Sequence, residues 1–141
     1  MSRAVGVTDY SNNYAELAAE LERQAGVVVD KTIQRIHQIC DFEFSQPKTG
    51  ETYRVGGTAD NPIMHQASAP GEPPAIDTTK LAGSGYHKMT GPTEGEVGFT
   101  AEYAVHLEMG TENMAARPFL VPAVEQAWPE FTQAMEKVLG R

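Results

Sequence analysis

The chain has 141 residues, of which 40% are hydrophobic and 21% charged, and its formal net charge is −8. A chain of this length is typical of one domain, so we expect residues 1–141 to form a single domain. No apolar run approaches the ~20 residues of a membrane span, and the N-terminus lacks the apolar core of a secretory signal, so we expect a cytosolic origin and no membrane partner. The eleven basic residues are scattered singly, which argues against a protein that grips nucleic acid through its phosphates.

Residues 13–45 predict one long helix. Asn13 and Glu16 have the spacing of a capping box at its start, and apolar residues recur every three or four positions from Tyr14 to Cys40. Cys40 is the single cysteine, and its place on this stripe predicts a buried small hydrophobic side chain. The helix would be about 45–50 Å long, which is long for so small a domain. Part of its apolar stripe is therefore expected to need a neighbouring chain.

The middle of the chain predicts strands around a long loop. Residues 51–56 alternate and are β-prone, so they predict a strand. Residues 57–80 hold four of the nine prolines and predict one loop, which is either a flexible surface excursion or an arm that docks on another subunit. A short helical turn with Leu81 pointing inward follows it. Residues 85–90 and 95–101 flank a Gly-Pro turn and predict a β-hairpin.

The C-terminal part predicts two helices. A short helix is stopped by Gly110, and a longer one runs from about Pro118, in its first turn, to Leu139. Pro129 lies inside the longer helix, so we expect a kink or break there. The predicted fold is α+β: a long N-terminal helix, a small antiparallel sheet with a long Pro-rich loop, and a C-terminal helix packed on one face.

The usual catalytic and metal motifs are not recognisable in the sequence. No pair of histidines has the spacing of a zinc site, and Gly83-Ser84-Gly85 does not match a nucleophile elbow. We therefore predict no catalytic residue, no cofactor and no metal, and a protein that is not an enzyme. The four histidines are His37, His65, His87 and His106.

Residues 104–123 predict a stiff junction between the last two helices. Glu108 lies at the end of a helical turn, and Thr111 can cap the segment after Gly110. Arg117 is expected to pair with a carboxylate, first of all Glu108 of the same chain or of a neighbour, and so to act as a clamp between the two helices. The alternative is an ordinary surface ion pair, worth about 0–1 kcal/mol. Phe119 and Leu120 are expected to form a hydrophobic anchor. The candidate junction residues are Glu108, Gly110, Thr111, Arg117, Pro118 and Phe119, together with Leu120.

Two segments resemble motifs of a family of neck proteins from long-tailed bacteriophages. The segment "EYAVHLEMGTENMAARPFLVPAVEQA" is similar to the family's C-terminal signature of Tyr-Ala, Glu-x-Gly-Thr, Ala-Arg-Pro-Phe-Leu and Pro-Ala. The segment "SAPGEPPAIDTTKLAGS", residues 68–84, resembles its second motif, Ala-Pro-Gly-x-Pro-Pro followed by Asp-Thr-x-x-Leu. Thr79 stands where the family usually has Gly after Asp-Thr. The C-terminal signature adds Tyr103 to the candidate residues. The second motif adds Pro70, Gly71, Pro73, Pro74, Asp77 and Leu81, with Asp77 or Thr78 as a cap for the short helix.

The resemblance implies a structural protein of the virion, called a tail-completion, neck or tail-terminator-type protein. Such a protein is made in the bacterial host cytoplasm and assembles with itself into a ring, expected to be a hexamer, at the head–tail junction. Its expected partners are the phage connector or stopper protein and the tail tube protein, with DNA as a passenger that passes through the channel without sticking. The alternative is a non-viral soluble protein-interaction module without catalysis.

Overall fold

The computed structural model describes residues 7–74 and 79–140 of the chain. Within them it has the predicted α+β architecture, with a long N-terminal helix, two small antiparallel sheets and a C-terminal helix that packs on the N-terminal one. The elements in chain order are α1 Val7–Ser45, β1 Thr52–Gly57, β2 Pro62–Gln66, α2 Thr79–Gly83, β3 Gly85–Met89, β4 Gly95–Phe99, α3 Ala104–Met109 and α4 Leu120–Val138.

Helix α1 begins earlier than the sequence predicts. It starts at Val7, so Asn13 lies inside the helix and the predicted capping box with Glu16 is wrong. An asparagine inside a helix costs at most about 0.7 kcal/mol relative to alanine, whereas each further helical residue adds one backbone hydrogen bond. The 39 residues of α1 give a rod of about 58 Å. Residues 13–20 are exposed, and burial begins near Gly26.

The interpretation of residues 57–80 as one long loop is wrong, because this range contains strand β2. β2 pairs antiparallel with β1, from Thr52 opposite Gln66 to Gly57 opposite Pro62, with an irregularity between Arg54 and Gly56. Pro62 is the first residue of its strand, a position where the missing N–H is tolerated. The proline and the polar residues around it hid the strand from pattern analysis.

The second hairpin, β3–β4, is confirmed with the expected antiparallel pairing, from Gly85 opposite Phe99 to Met89 opposite Gly95. It forms a separate two-stranded sheet that packs on α1, whereas β1–β2 makes few contacts with any other element described. At Gly26 of α1, a Cβ atom would lie only 2.2 Å from the carbonyl oxygen of Pro92. Glycine therefore permits the turn of this hairpin to approach the helix backbone.

Helix α4 packs along α1 through small side chains. Ala123 and Ala127 are each 1% exposed, and such residues let two helix axes approach closely. The helix begins at Leu120, so the expected first-turn position of Pro118 is wrong, and it continues through Pro129 without a break. The lost hydrogen bond at Pro129 is tolerated because packing holds the helix in place on the N-terminal side of the proline.

The core joins α1, α2, β4, α3 and α4 around buried Phe44, Leu81 and Phe119. Cys40 belongs to it as predicted, with no exposed surface. Burial raises the pKa of its thiol to about 12, so the side chain acts as a small hydrophobic residue. Among the helices described, none combines the length and apolar character needed to cross a bilayer.

Candidate functional site: the α3–α4 junction

Glu108 caps helix α4 from a distance. One carboxylate oxygen of Glu108 accepts hydrogen bonds from the backbone N–H of Phe119 at 2.8 Å and of Leu120 at 3.0 Å, and the other accepts from Val121 at 2.9 Å. These N–H groups belong to the first turn of α4, where the helix itself has no carbonyl oxygen to accept their hydrogen bonds. The N-cap residue is Phe119, whose side chain has no acceptor. Glu108 therefore supplies from α3 both the acceptor and the negative charge that a helix N-terminus favours.

A glycine turn connects the capping residue to the rest of the junction. Gly110 ends α3 with φ 77° and ψ 173°, a backbone region that is essentially restricted to glycine. A Cβ atom there would also lie 2.9 Å from the backbone nitrogen of Ala116. Thr111 accepts a bond on its hydroxyl from the N–H of Asn113 and pairs through its backbone with Met114. The turn thus brings Ala116 back beside α3.

Within one chain, the predicted ion pair between Arg117 and Glu108 is wrong, since the Glu108 carboxylate is occupied by the N–H groups of α4. The Arg117 guanidinium donates instead through Nε to the carbonyl oxygen of Ser68 at 3.3 Å. Its backbone N–H donates to the carbonyl oxygen of Leu107 at 2.6 Å. Within the described residues, Arg117 forms no ion pair. It holds the junction by bridging α3 and the segment before α2.

The two sequence motifs meet at this point of the fold. The N–H of Gly71 donates to the carbonyl oxygen of Ala116 at 3.0 Å, beside the contact between Arg117 and Ser68. Glu72 secures the same segment, because its carboxylate accepts from the N–H of Ala69 and from the N–H and hydroxyl of Thr49. These bonds lower the pKa of Glu72 to about 2, with the Thr49 hydroxyl as the largest cause. Residues 67–74 are therefore bound to their own chain.

Phe119 anchors the junction in the core. It is 3% exposed, and its ring centroid lies 5.4 Å from that of Phe44 on α1 and 5.1 Å from that of Phe99 on β4. The carbonyl oxygen of Phe119 accepts a weak bond from the Cys40 thiol at 3.5 Å. Phe119 is therefore part of the core, and its two ring contacts tie the start of α4 to both α1 and the β3–β4 sheet.

The other candidate residues occupy varied environments. Tyr103, Pro118 and Leu120 are half-buried, and Leu81 is buried as expected. In the second motif, Pro74 is buried and Pro73 half-buried, whereas Pro70 and Gly71 are exposed. Gly71 has φ 83°, which favours glycine. Asp77 and Thr78, the two residues proposed to cap α2, lie outside the described residues.

The fold brings together two histidines that are too far apart in the sequence to show ligand spacing. The Nδ1 atoms of His37 on α1 and His87 on β3 lie 2.8 Å apart. Asp41 Oδ2 lies 3.7 Å from the other ring nitrogen of His37. The separation of 50 residues between them gave no local spacing to recognise. In residues 7–74 and 79–140, no three or more histidine, cysteine or acidic side chains converge in a way that would hold a metal ion.

Large apolar side chains are exposed on α1, the β1–β2 hairpin, α3 and α4. The projecting face of α1 carries Tyr14 and Leu17. The hairpin surface of β1–β2 carries Val55, Ile63 and Met64. The outer face of α4 carries Val121, Val124 and Trp128, of which Trp128 is 60% exposed. Beside the junction, an open apolar groove of about 250 Å³ is lined by Phe99, Val105, Met109, Phe119 and Leu120 among others.

Comparison of this chain with protein-family models, with curated proteins and with solved structures found no match.

Proposed function

We propose that the chain is a structural subunit of a tailed bacteriophage virion and assembles with copies of itself into a ring at the head–tail junction. The observation that carries the proposal is the exposure of large apolar side chains on α1, β1–β2 and α4 of one chain. A chain of 141 residues that leaves so much apolar surface uncovered is suited to burying it against other subunits.

The exposed faces suit a cyclic assembly. A closed ring needs heterologous contacts, in which one patch of a subunit meets a different patch of the next. The projecting face of α1, the hairpin surface and the outer face of α4 lie on different elements. Of these three surfaces, the β1–β2 hairpin is the best candidate for a contact with another subunit, because an isolated two-stranded hairpin is only marginally stable in water.

The virion assignment rests on the two motifs that resemble those of phage neck proteins. Their meeting at the contacts of Gly71 with Ala116 and of Arg117 with Ser68 gives both motifs one structural task, which is to fix the start of α4. The ring would finish the tail end and join it to the connector or stopper, with six subunits as the resemblance implies. The net negative charge of the ring would let DNA pass through the channel without adhering.

The decisive experiment uses the phage or prophage that encodes the chain. Purified virions should contain the protein, and deletion of its gene should leave separate heads and tails in electron micrographs. Complementation with the intact gene should restore joined, infectious particles. Virions that lack the protein, or infectious particles from the deletion strain, would refute the proposal.

A second experiment tests the surfaces in vitro. Trp128→Glu and Ile63→Glu place a charge on the outer face of α4 and on the hairpin surface. Gln126→Glu is the matched control, since it adds the same charge at an exposed position of α4. Light scattering of the purified chain, alone and with tail tubes, measures assembly, and circular dichroism checks folding. Both surface variants should assemble less than the control. Equal assembly of all three would show that these two faces do not form the interface.

A further inference from the structure

The contact between His37 and His87 is chemically specific. Their Nδ1 atoms lie 2.8 Å apart, so one nitrogen donates a proton and the other accepts it. The two rings stand edge to face, with an interplanar angle of 69°. The ring of Phe99 lies against His37, with centroids 6.0 Å apart. The two imidazole nitrogens thus face each other at the joint between α1 and the β3–β4 sheet.

We propose that His37 and His87 form a binding site for a divalent transition-metal ion of the zinc type, with both Nδ1 atoms as ligands. Neutral imidazole is the ligand that zinc, copper and nickel share in proteins. Since no third protein ligand converges there among the described residues, water fills the other coordination positions. Hard ions such as Mg²⁺, which prefer oxygen ligands, do not bind.

A carboxylate lies near the ring nitrogen of His37 that faces away from His87. Asp41 Oδ2 lies 3.7 Å from Nε2 of His37, a position that favours keeping the proton on Nε2 and leaves the Nδ1 lone pair available. A carboxylate behind a ligating histidine is a recurrent feature of metal sites, where it fixes the tautomer and orientation of the ring. Binding therefore requires a shift of the proton on His87 from Nδ1 to Nε2, with no change in the net charge of either ring.

Zinc binding needs one ring to reorient, because hydrogen-bonded nitrogens point at each other whereas two ligands both point at the metal. Zinc–nitrogen bonds of about 2.0–2.1 Å at a tetrahedral angle place the two nitrogens about 3.3 Å apart, compared with 2.8 Å in the hydrogen-bonded pair. The His87 side chain is exposed, whereas His37 is half-buried on α1. The exposed ring can therefore move outward while the helix holds the other one in place.

The test titrates ZnCl₂ into the untagged full chain by isothermal calorimetry. One zinc ion should bind per chain, and MgCl₂ should give no heat of binding. His37→Gln and His87→Gln should each weaken zinc binding at least tenfold, and Asp41→Asn should weaken it about tenfold, as outer-shell changes do. His65→Gln and His106→Gln are matched controls that should leave it unchanged.

A measurement on the wild-type chain removes any dependence on the folding of a variant. In imidazole ¹H–¹⁵N spectra, zinc should shift the Nδ1 resonances of His37 and His87 and leave those of His65 and His106 in place. Absence of zinc binding, equal affinity of His87→Gln and the wild type, or shifts centred on His65 or His106 would each overturn the site.

Discussion

The sharpest test of the junction is removal of the Glu108 carboxylate. Glu108→Ala deprives the N–H groups of Phe119, Leu120 and Val121 of their acceptor and withdraws a negative charge from the N-terminus of α4. Glu108→Gln keeps an acceptor oxygen at the same reach but loses the charge. The pair of variants therefore separates the hydrogen bonds from the electrostatic part of the cap.

The magnitude depends on the surroundings of the three donors. The bonds of Phe119 and Leu120 are half-buried, while that of Val121 is exposed, so water can replace the last one. Each half-buried donor left without its partner costs about 1–1.5 kcal/mol. We therefore expect Glu108→Ala to lower the free energy of unfolding by about 2–3 kcal/mol, and Glu108→Gln to lower it by about 1 kcal/mol.

Urea denaturation followed by circular dichroism measures these changes through the midpoint at constant m-value. The larger loss corresponds to a fall of about 6–12 °C in Tm for a domain of this size. Glu112→Ala is the control, because it removes an exposed glutamate from the same loop. A Glu108→Ala protein as stable as Glu112→Ala would show that the carboxylate does not hold α4 in place.

Four further outcomes are expected from the same structure. Phe119→Ala should cost about 3–5 kcal/mol in urea denaturation, because it empties a site packed against the rings of Phe44 and Phe99; a loss below ~1 kcal/mol would contradict that packing. Gly110→Ala should cost about 1–3 kcal/mol and more than Gly71→Ala, since both glycines have positive φ but only Gly110 has backbone atoms where the Cβ would lie; equal losses would assign the cost to φ alone. Because the pKa of Glu72 is held near 2, its stabilisation is complete above about pH 4.5 and lost as the pH falls toward 2, so Glu72→Gln should show a flatter stability profile in that window than the wild type. Cys40 should react with a thiol reagent only after denaturation, because burial raises its pKa to about 12; rapid labelling of the native chain would contradict its burial.

The fold was predictable where the hydrophobic spacing or the β-propensity of a segment favoured one type of element. The apolar spacing predicted α1 and α4, and the β-prone runs around the Gly-Pro turn predicted β3–β4. Strand β2 was missed because its hairpin exposes apolar and polar side chains together, so no hydrophobic face marks it. The predicted break at Pro129 was wrong because tertiary packing overrides a local penalty, as the burial of Ala123 and Ala127 on α1 shows.

The junction was located from the sequence, but its interactions were not. Known capping patterns have the acceptor at or just after the helix start. Glu108 instead lies 11–13 residues before its donors. Arg117 was assigned to a carboxylate on charge alone, yet the fold offers it a carbonyl of Ser68. The contact of His37 with His87 joins positions 50 residues apart. Each of these pairings depends on the path of the chain, which a local pattern does not contain.

The junction and the exposed faces should affect assembly in different ways. Glu108, Gly110 and Phe119 set the start and direction of α4 relative to α1, and therefore determine where the outer face of α4 points. A substitution at the junction should misdirect that face and also destabilise the chain, whereas Trp128→Glu should block contact at nearly unchanged stability. If the chain is a ring subunit, assembly should therefore fall together with stability in the first group and independently of it in the second. This difference follows from the geometry, since Phe119 of the junction is buried whereas Trp128 on the outer face of α4 is 60% exposed.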